Sequence, residues 1–141
     1  MNTIQPRIAQ AGDLDNLTRW IAGPLGSAWL RLYATDVPFD PANTPADYVE
    51  ASFPGYVPIN PVSWGTPFLN SDGKAETDSG TMEFTYPGKT GHYTVYGLYL
   101  TDVGLTKLFA VWPFLAPFVF SGKQQSLPLT LSLTAVSELL A

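Results

Sequence analysis

The sequence predicts an all-β protein, an antiparallel β-sandwich or jelly-roll-like barrel with one short N-terminal helix. Residues 92–134 form a series of short apolar segments that contain few charges and are separated by turns. Residues 127–134 alternate leucine with proline, threonine or serine. A period of two is typical of a strand with one face in a core. Several short strands with frequent turns between them are typical of a sandwich or barrel.

The length and composition predict one domain with a partly covered surface. A chain of 141 residues corresponds to about one domain and can bury a core. We therefore predict a single β domain over residues 1–141, with the sandwich over residues 27–136. Only 13% of the residues are charged, about half the usual share, whereas 13% are aromatic. This balance suits a surface that partners cover, and it also suits a compact β domain whose surface is rich in threonine and serine.

Charge and hydropathy also limit the classes of partner that we expect. The net charge of −5 argues against nucleic-acid binding, which requires a basic surface. The absence of cysteine excludes a disulfide framework, a thiolate metal site and a cysteine nucleophile. The most apolar window, residues 108–120, is too short and too interrupted by proline to span a bilayer as a helix. No signal-peptide pattern is visible. From the net charge and the short apolar window, we expect neither nucleic acid nor a membrane as a partner.

The first half of the chain mixes an arm, a helix, a strand and a loop. Residues 1–12 lack a clear period, which predicts an extended N-terminal arm. Residues 14–22 carry apolar residues at i, i+3 and i+7, which predicts a short helix with Asp13 as its N-cap. Residues 27–35 predict a strand. Residues 37–61 are rich in proline and predict a loop with short extended pieces, because proline cannot pair inside a sheet.

The second half supplies most of the predicted sheet. Residues 92–101 are largely apolar on both faces, as expected where one face meets the core and the other meets a second sheet or a subunit. Two prolines inside residues 108–120 predict a break between strands. They also limit the pairing of this segment with other chains as an edge strand. Residues 70–80 predict a polar turn region. The remaining predicted strands are residues 62–69, 81–86, 105–112, 118–120 and 127–136.

The sequence contains no recognisable catalytic or cofactor site. His92 is the only histidine, and it begins a predicted strand next to a turn. Nucleophile, zinc-protease and nucleotide-binding motifs are absent. The carboxylates of residues 72–78 either bind calcium or form a solvated turn, and their spacing does not match an EF-hand loop. We expect a protein that is not an enzyme and that holds no cofactor and no metal.

Aromatic residues outnumber what a small core requires. Tryptophan and tyrosine are enriched at the centres of protein interfaces and suit sugar-binding grooves. The alternative is that the same side chains are buried inside a single sandwich. The sequence predicts an interface formed by Trp29, Tyr33, Tyr56, Trp64, Tyr96, Tyr99, Trp112, Phe114 and Phe118.

The order of several segments resembles that of a group of small virion structural proteins from tailed phages. The segments are YVEASFPGY at residues 48–56, TVYGLYLTD at 94–102, TKLFAVWPF at 106–114 and LPLTLSLTAV at 127–136. A preceding helix, DLDNLTRWIAG, and a strand, LRLY, extend the resemblance over residues 14–136. The sequence departs from the group's pattern at Pro113, where a charged pair usually follows the tryptophan, and at GKQQS, where a Gly-Asp turn is usual.

The resemblance implies a β module of the virion. We expect a capsid decoration (cement) protein that forms a homo-oligomer, a trimer, and binds the major capsid protein. Its location would be the virion, after assembly in the host cytoplasm. The alternative is a tail-fibre or head-fibre module that recognises host-surface glycans. An enzyme such as a small hydrolase or lyase is the third reading, and the single histidine and missing cysteine weigh against it.

Overall fold

The described part of the chain is built mainly from antiparallel strands. The structure, a computed structural model, describes residues 10–88 and 91–134. Over those residues the strands form three antiparallel sheets beside one α-helix, which confirms the all-β class with a short helix. The regular elements are α1 (Gln10–Ala22), β1 (Trp29–Tyr33), β2 (Phe68–Leu69), β3 (Ala75–Asp78), β4 (Met82–Tyr86), β5 (His92–Thr101), β6 (Leu108–Ser121), β7 (Gln125–Leu129) and β8 (Ser132–Thr134).

The chain clusters into two compact units, and each draws on separate parts of the sequence. Over the described residues, the first unit takes residues 10–26, Ser63–Gly80 and residues 130–134, and the second takes Ser27–Val62, residues 81–88 and residues 91–129. The single-domain organisation and the sandwich over residues 27–136 stay predictions.

The helix of the first unit begins earlier than predicted. It starts at Gln10, so Asp13 lies inside the helix and is not its N-cap, and residues 10–12 do not belong to an arm. Gln10 and Ala11 are good helix formers and favour the earlier start, whereas Gly12 opposes it. The rest of the predicted arm, residues 1–9, lies outside the described residues. The apolar stripe was predicted correctly, because its three members are at least partly buried: Leu14, Leu17 and Ile21.

The sheet of the first unit is centred on β3, which pairs with β2 on one side and β8 on the other. The prediction of a polar turn over residues 70–80 was therefore wrong for Ala75–Asp78. Ala75 and Thr77 are buried and alternate with two acidic residues, so the period of two is present without the apolar residues that usually reveal it. The predicted strand at residues 62–69 shrinks to β2, and Trp64 forms only an isolated bridge to Ser79.

The second unit contains a three-stranded sheet, β1-β5-β6, and the two-stranded sheet β4-β7. The central strand β5 has the predicted bounds, and its C-terminal half is buried on both faces. The predicted strand at residues 127–136 is divided, because β7 pairs with β4 whereas β8 pairs with β3. Residues 135 and 136 lie outside the described residues.

The proline-rich segment, residues 37–61, is tied to the edge of β1. Ala34 N donates to the Val49 carbonyl at 2.8 Å, and Ala51 N donates to the Leu32 carbonyl at 2.9 Å. Further along, Leu30 and Ile59 exchange two backbone hydrogen bonds of 2.9 Å each. These bonds satisfy backbone groups that an edge strand would otherwise leave open to another chain. The segment predicted as a loop with short extended pieces thus closes one edge of the sheet.

The same segment supplies a central aromatic residue of the core. Phe53 is buried, and its ring lies 5.1 to 5.4 Å from four other aromatic rings. Most of these contacts are edge-to-face, the arrangement that aromatic quadrupoles favour. The four rings come from the same segment and from strands of both sheets of the unit: Tyr56, Tyr86, Tyr93 and Phe120.

Strand β6 is one continuous strand, whereas the sequence predicted two with a break between them. Its pairing with β5 shifts between Val95, opposite Phe118, and Gly97, opposite Pro113. Residues 114–117 therefore bulge out of the ladder opposite Tyr96, and we call them the β6 bulge. Both prolines are accommodated because they lie at this irregularity, on a strand that within the described residues pairs only with β5.

Replacing Phe53 with alanine should destabilise the protein strongly. The change removes a ring that contacts four others and leaves a cavity, so we expect a loss of about 3–5 kcal/mol in the free energy of unfolding. Urea unfolding followed by tryptophan fluorescence measures it. The exposed Phe39 is the matched control, and Phe39→Ala should change stability by less than about 0.5 kcal/mol. Equal stability of the two variants would contradict the assigned core.

Candidate interaction surface

The structure places the nine predicted interface residues in two kinds of environment, buried and half-buried. Tyr33 and Tyr99 are only 1% exposed, so they lie in the core and not at a surface. Their rings are 6.0 Å apart and both contact Tyr48, at 5.0 and 5.2 Å. Gly97 makes this packing possible, since a Cβ there would lie 2.5 Å from the Tyr33 hydroxyl oxygen.

Other predicted interface residues support the core from its margin. Tyr96 is half-buried and packs against the three-tyrosine cluster. Trp29 is half-buried, and the guanidinium carbon of Arg31 lies 5.6 Å from its ring centroid. Phe118 contacts Phe120 at 5.0 Å, edge to face. Tyr56, Trp64, Trp112 and Phe114 are half-buried as well.

The most exposed apolar side chains of the second unit's sheet lie on β6. Leu115, in the β6 bulge, is fully exposed, and Val119 is about half exposed. The neighbours Pro113, Ala116 and Pro117 are exposed too. No charged residue occurs in the fourteen residues of this strand. The missing charge is visible in the sequence, whereas the outward position of Leu115 depends on the bulge, which no local pattern predicts.

A largely buried polar network connects β1, β5 and the proline-rich segment. Arg31 on β1 is almost fully buried, and its Nη1 donates to Glu50 Oε1 at 2.9 Å. Its Nε donates to the Thr101 hydroxyl at 3.0 Å. The Tyr56 hydroxyl donates to Glu50 Oε2 at 2.7 Å and accepts the Leu32 N–H at 3.2 Å. Each charged group is thus paired and hydrogen-bonded, as burial requires.

The protonation of three tyrosines follows from this burial. Burial raises the pKa of Tyr33 and of Tyr99 to about 12, because the charged phenolate is poorly solvated inside the core. Burial raises the pKa of Tyr56 further, and its hydrogen bond to the Glu50 carboxylate adds to the effect. These phenols therefore stay protonated at neutral pH, and the network acts as a structural tie.

The turn at residues 70–74 and two of the three acidic side chains of residues 72–78, Glu76 and Asp78, are tied by hydrogen bonds. The Asn70 side-chain oxygen accepts the N–H groups of Asp72 and Lys74, each at 3.0 Å. The Asn70 amide donates to Glu76 at 3.2 Å, and Asp78 accepts the Ser132 hydroxyl at 2.8 Å. No group of three or more histidine, cysteine or acidic side chains that could hold a metal ion occurs within residues 10–88 and 91–134.

His92 is exposed at the start of β5.

Over the described residues, none of the helices has the length and apolar character that crossing a membrane requires. Comparisons of the chain with protein-family models, with curated proteins and with solved structures find no match. The functional inference therefore depends on the surfaces and contacts described above.

Replacing Arg31 with methionine should cost about 3 kcal/mol, because it leaves the Glu50 carboxylate without its buried partner. The value is at the low end of the usual range because the Glu50 side chain keeps 25% of its surface exposed. Urea unfolding provides the measurement. The Arg31→Met/Glu50→Met double variant should lose less stability than the sum of the two single variants, since the pair acts as a unit.

The exposed ion pair between Arg19 and Asp15, 2.8 Å apart, gives a control for that prediction. Arg19→Met should cost less than about 1 kcal/mol, because both side chains are mostly exposed. Additive effects of the Arg31 and Glu50 substitutions would show that the network is not coupled.

The raised tyrosine pKa values predict a loss of stability at high pH. An unfolded tyrosine titrates near 10, so for Tyr33 and Tyr99 the unfolded chain releases protons before the folded one does. Their contribution should be complete below pH 10 and should disappear as the pH rises towards 12. Urea unfolding at pH 8 to 12 tests this, with Tyr33→Phe/Tyr99→Phe as the control that falls less steeply. Native tyrosines that all titrate near pH 10 by ultraviolet absorption would contradict it.

Proposed function

We propose that this chain is a virion structural protein, a capsid decoration (cement) protein that assembles as a homotrimer and binds the major capsid protein. The observation that carries the proposal is β6, a fourteen-residue strand without charge whose bulge presents a fully exposed leucine. A long, uncharged strand at a sheet edge readily associates with other chains unless something covers it. The resemblance to small phage virion proteins supplies the kind of assembly.

The charge of the chain favours a second copy of it as the partner that covers the edge of β6. Each chain has a net charge of −5, so the charged surfaces of two copies repel one another on balance. Two uncharged strands can approach without this repulsion and without burying an unpaired charge. Three-fold assembly suits the local three-fold positions of a capsid lattice, and many repeated contacts on one shell add avidity.

The second unit supports the finer fold expected of such a module, a β-sandwich. Tyr86 on β4 and Phe120 on β6 belong to different sheets, and their rings stack 4.9 Å apart. Side chains that interdigitate between two sheets form the core of a sandwich. A jelly-roll-like strand order is the more specific form of the same proposal.

The surface favours the decoration role over glycan recognition. Sugar-binding sites use exposed aromatic rings beside polar groups. Among the described residues Trp20, on α1, is the one tryptophan or tyrosine that is as much as half exposed, so these residues offer no group of exposed tryptophan or tyrosine rings. Specific binding on a glycan array, without binding to tail-less heads, would overturn the proposal and favour a fibre module.

Replacing Leu115 with aspartate should dissociate the oligomer, because it places a charge in the centre of the uncharged surface. We expect native mass spectrometry to show three times 15.3 kDa for the wild type and 15.3 kDa for Leu115→Asp. Val57 is 69% exposed and lies elsewhere in the second unit, so Val57→Asp is the matched control and should keep the wild-type mass. A monomeric wild-type protein that fails to bind heads would rule out the proposed function.

A further inference from the structure

The turn between β5 and β6, residues 102–107, is held in one conformation by its own acidic residue. The Asp102 carboxylate accepts the N–H groups of Thr106 and Lys107 at 2.7 and 3.0 Å, and it also accepts the Thr106 hydroxyl. The bonds from Thr106 and then from Lys107 lower the pKa of this exposed carboxyl, because they favour its charged form. The turn therefore keeps its shape at neutral pH.

Two apolar side chains project from this turn. Val103 is 72% exposed and Leu105 is 44% exposed. Leu105 adopts a φ of 56°, the one positive φ at a non-glycine residue in the described part of the chain. A bulky side chain is strained in this left-handed region, which glycine would adopt without steric cost. Leucine is thus a poor choice for the backbone here, and such outliers are typical of sites that act on a ligand or partner.

We propose that this turn is the attachment point to the shell, with Val103 and Leu105 inserting into an apolar pocket of the major capsid protein. This inference rests on the proposed function, and it names the surface through which that function operates. A turn that is ordered before binding loses little conformational freedom when it docks, which favours affinity. A few apolar side chains seated in a pocket commonly supply most of the binding energy of an interface.

The chemistry of the turn distinguishes a protein pocket from the other partners. Valine and leucine cannot hydrogen-bond a sugar. An anionic membrane surface would repel a chain with a net charge of −5 and an ionised carboxylate at the base of this turn. The turn is also separate from the β6 bulge that we assign to contact between copies. An uncharged pocket on another protein is the partner that fits both exposed side chains.

The decisive variant is Leu105→Gly, because it should separate binding from stability. Glycine relieves the backbone strain while it removes the side chain, so the melting temperature should stay the same or rise. Binding to heads of the parent virus that lack this protein should weaken at least tenfold, measured by co-sedimentation. Val103→Asp should weaken binding similarly, whereas Val103→Ile and the exposed-site control Val57→Asp should bind as the wild type does.

The outcomes separate this inference from the proposed function. If the wild type binds heads and both Leu105→Gly and Val103→Asp bind equally well, the turn is not the attachment point although the decoration role stands. If the wild type does not bind heads, the proposed function fails and this inference fails with it. A lower melting temperature of Leu105→Gly would show a structural role for Leu105. Loss of the trimer mass in these variants, or binding of the wild type to phosphatidylcholine vesicles through Leu105, would also overturn the inference.

Discussion

The buried pair of Arg31 and Glu50 is the constraint on which the second unit depends. A charge that leaves water must be paired, and breaking such a pair costs far more than the pair contributes over an apolar replacement. Arg31 lies on β1 and also bonds Thr101 on β5, while Glu50 lies in the proline-rich segment. One ion pair therefore connects two strands of the sheet to a segment that has little regular structure of its own.

The position of that segment explains how the core is completed. With Glu50 held against β1, the backbone on both sides of it pairs with the strand and covers its edge. The chain between these contacts places Phe53 among rings from both sheets, and it places the Tyr56 hydroxyl between Glu50 and the backbone of Leu32. Proline suits this role because it stiffens an extended segment that does not have to pair along its whole length.

The two edges of the β1-β5-β6 sheet are consequently different. The β1 edge is covered by the protein's own segment, whereas β6 has no charge to keep other chains away and is interrupted only by its bulge. The tyrosines that look most suited to an interface are enclosed, and the surface retains aliphatic side chains on the bulge and on the β5–β6 turn. We propose that the first of these surfaces contacts other copies and that the second contacts the shell. A chain with few charges can support both contacts because each one avoids burying an unpaired charge.

The fold class, the short helix and the bounds of β5 could be predicted from the sequence, because periodicity and turn residues are local signals. Strand β3 could not, because its buried positions are Ala75 and Thr77 and the half-buried positions between them are acidic. The interior positions of Tyr33 and Tyr99 could not be predicted either, since an aromatic residue suits a core and an interface equally well. The outward position of Leu115 could not be predicted from the sequence either. Tertiary structure decided these points: the inward position of the Tyr33 ring depends on the missing side chain at Gly97, and the bulge depends on the register between β5 and β6. Both are relations between residues far apart in the chain, and no local pattern records them.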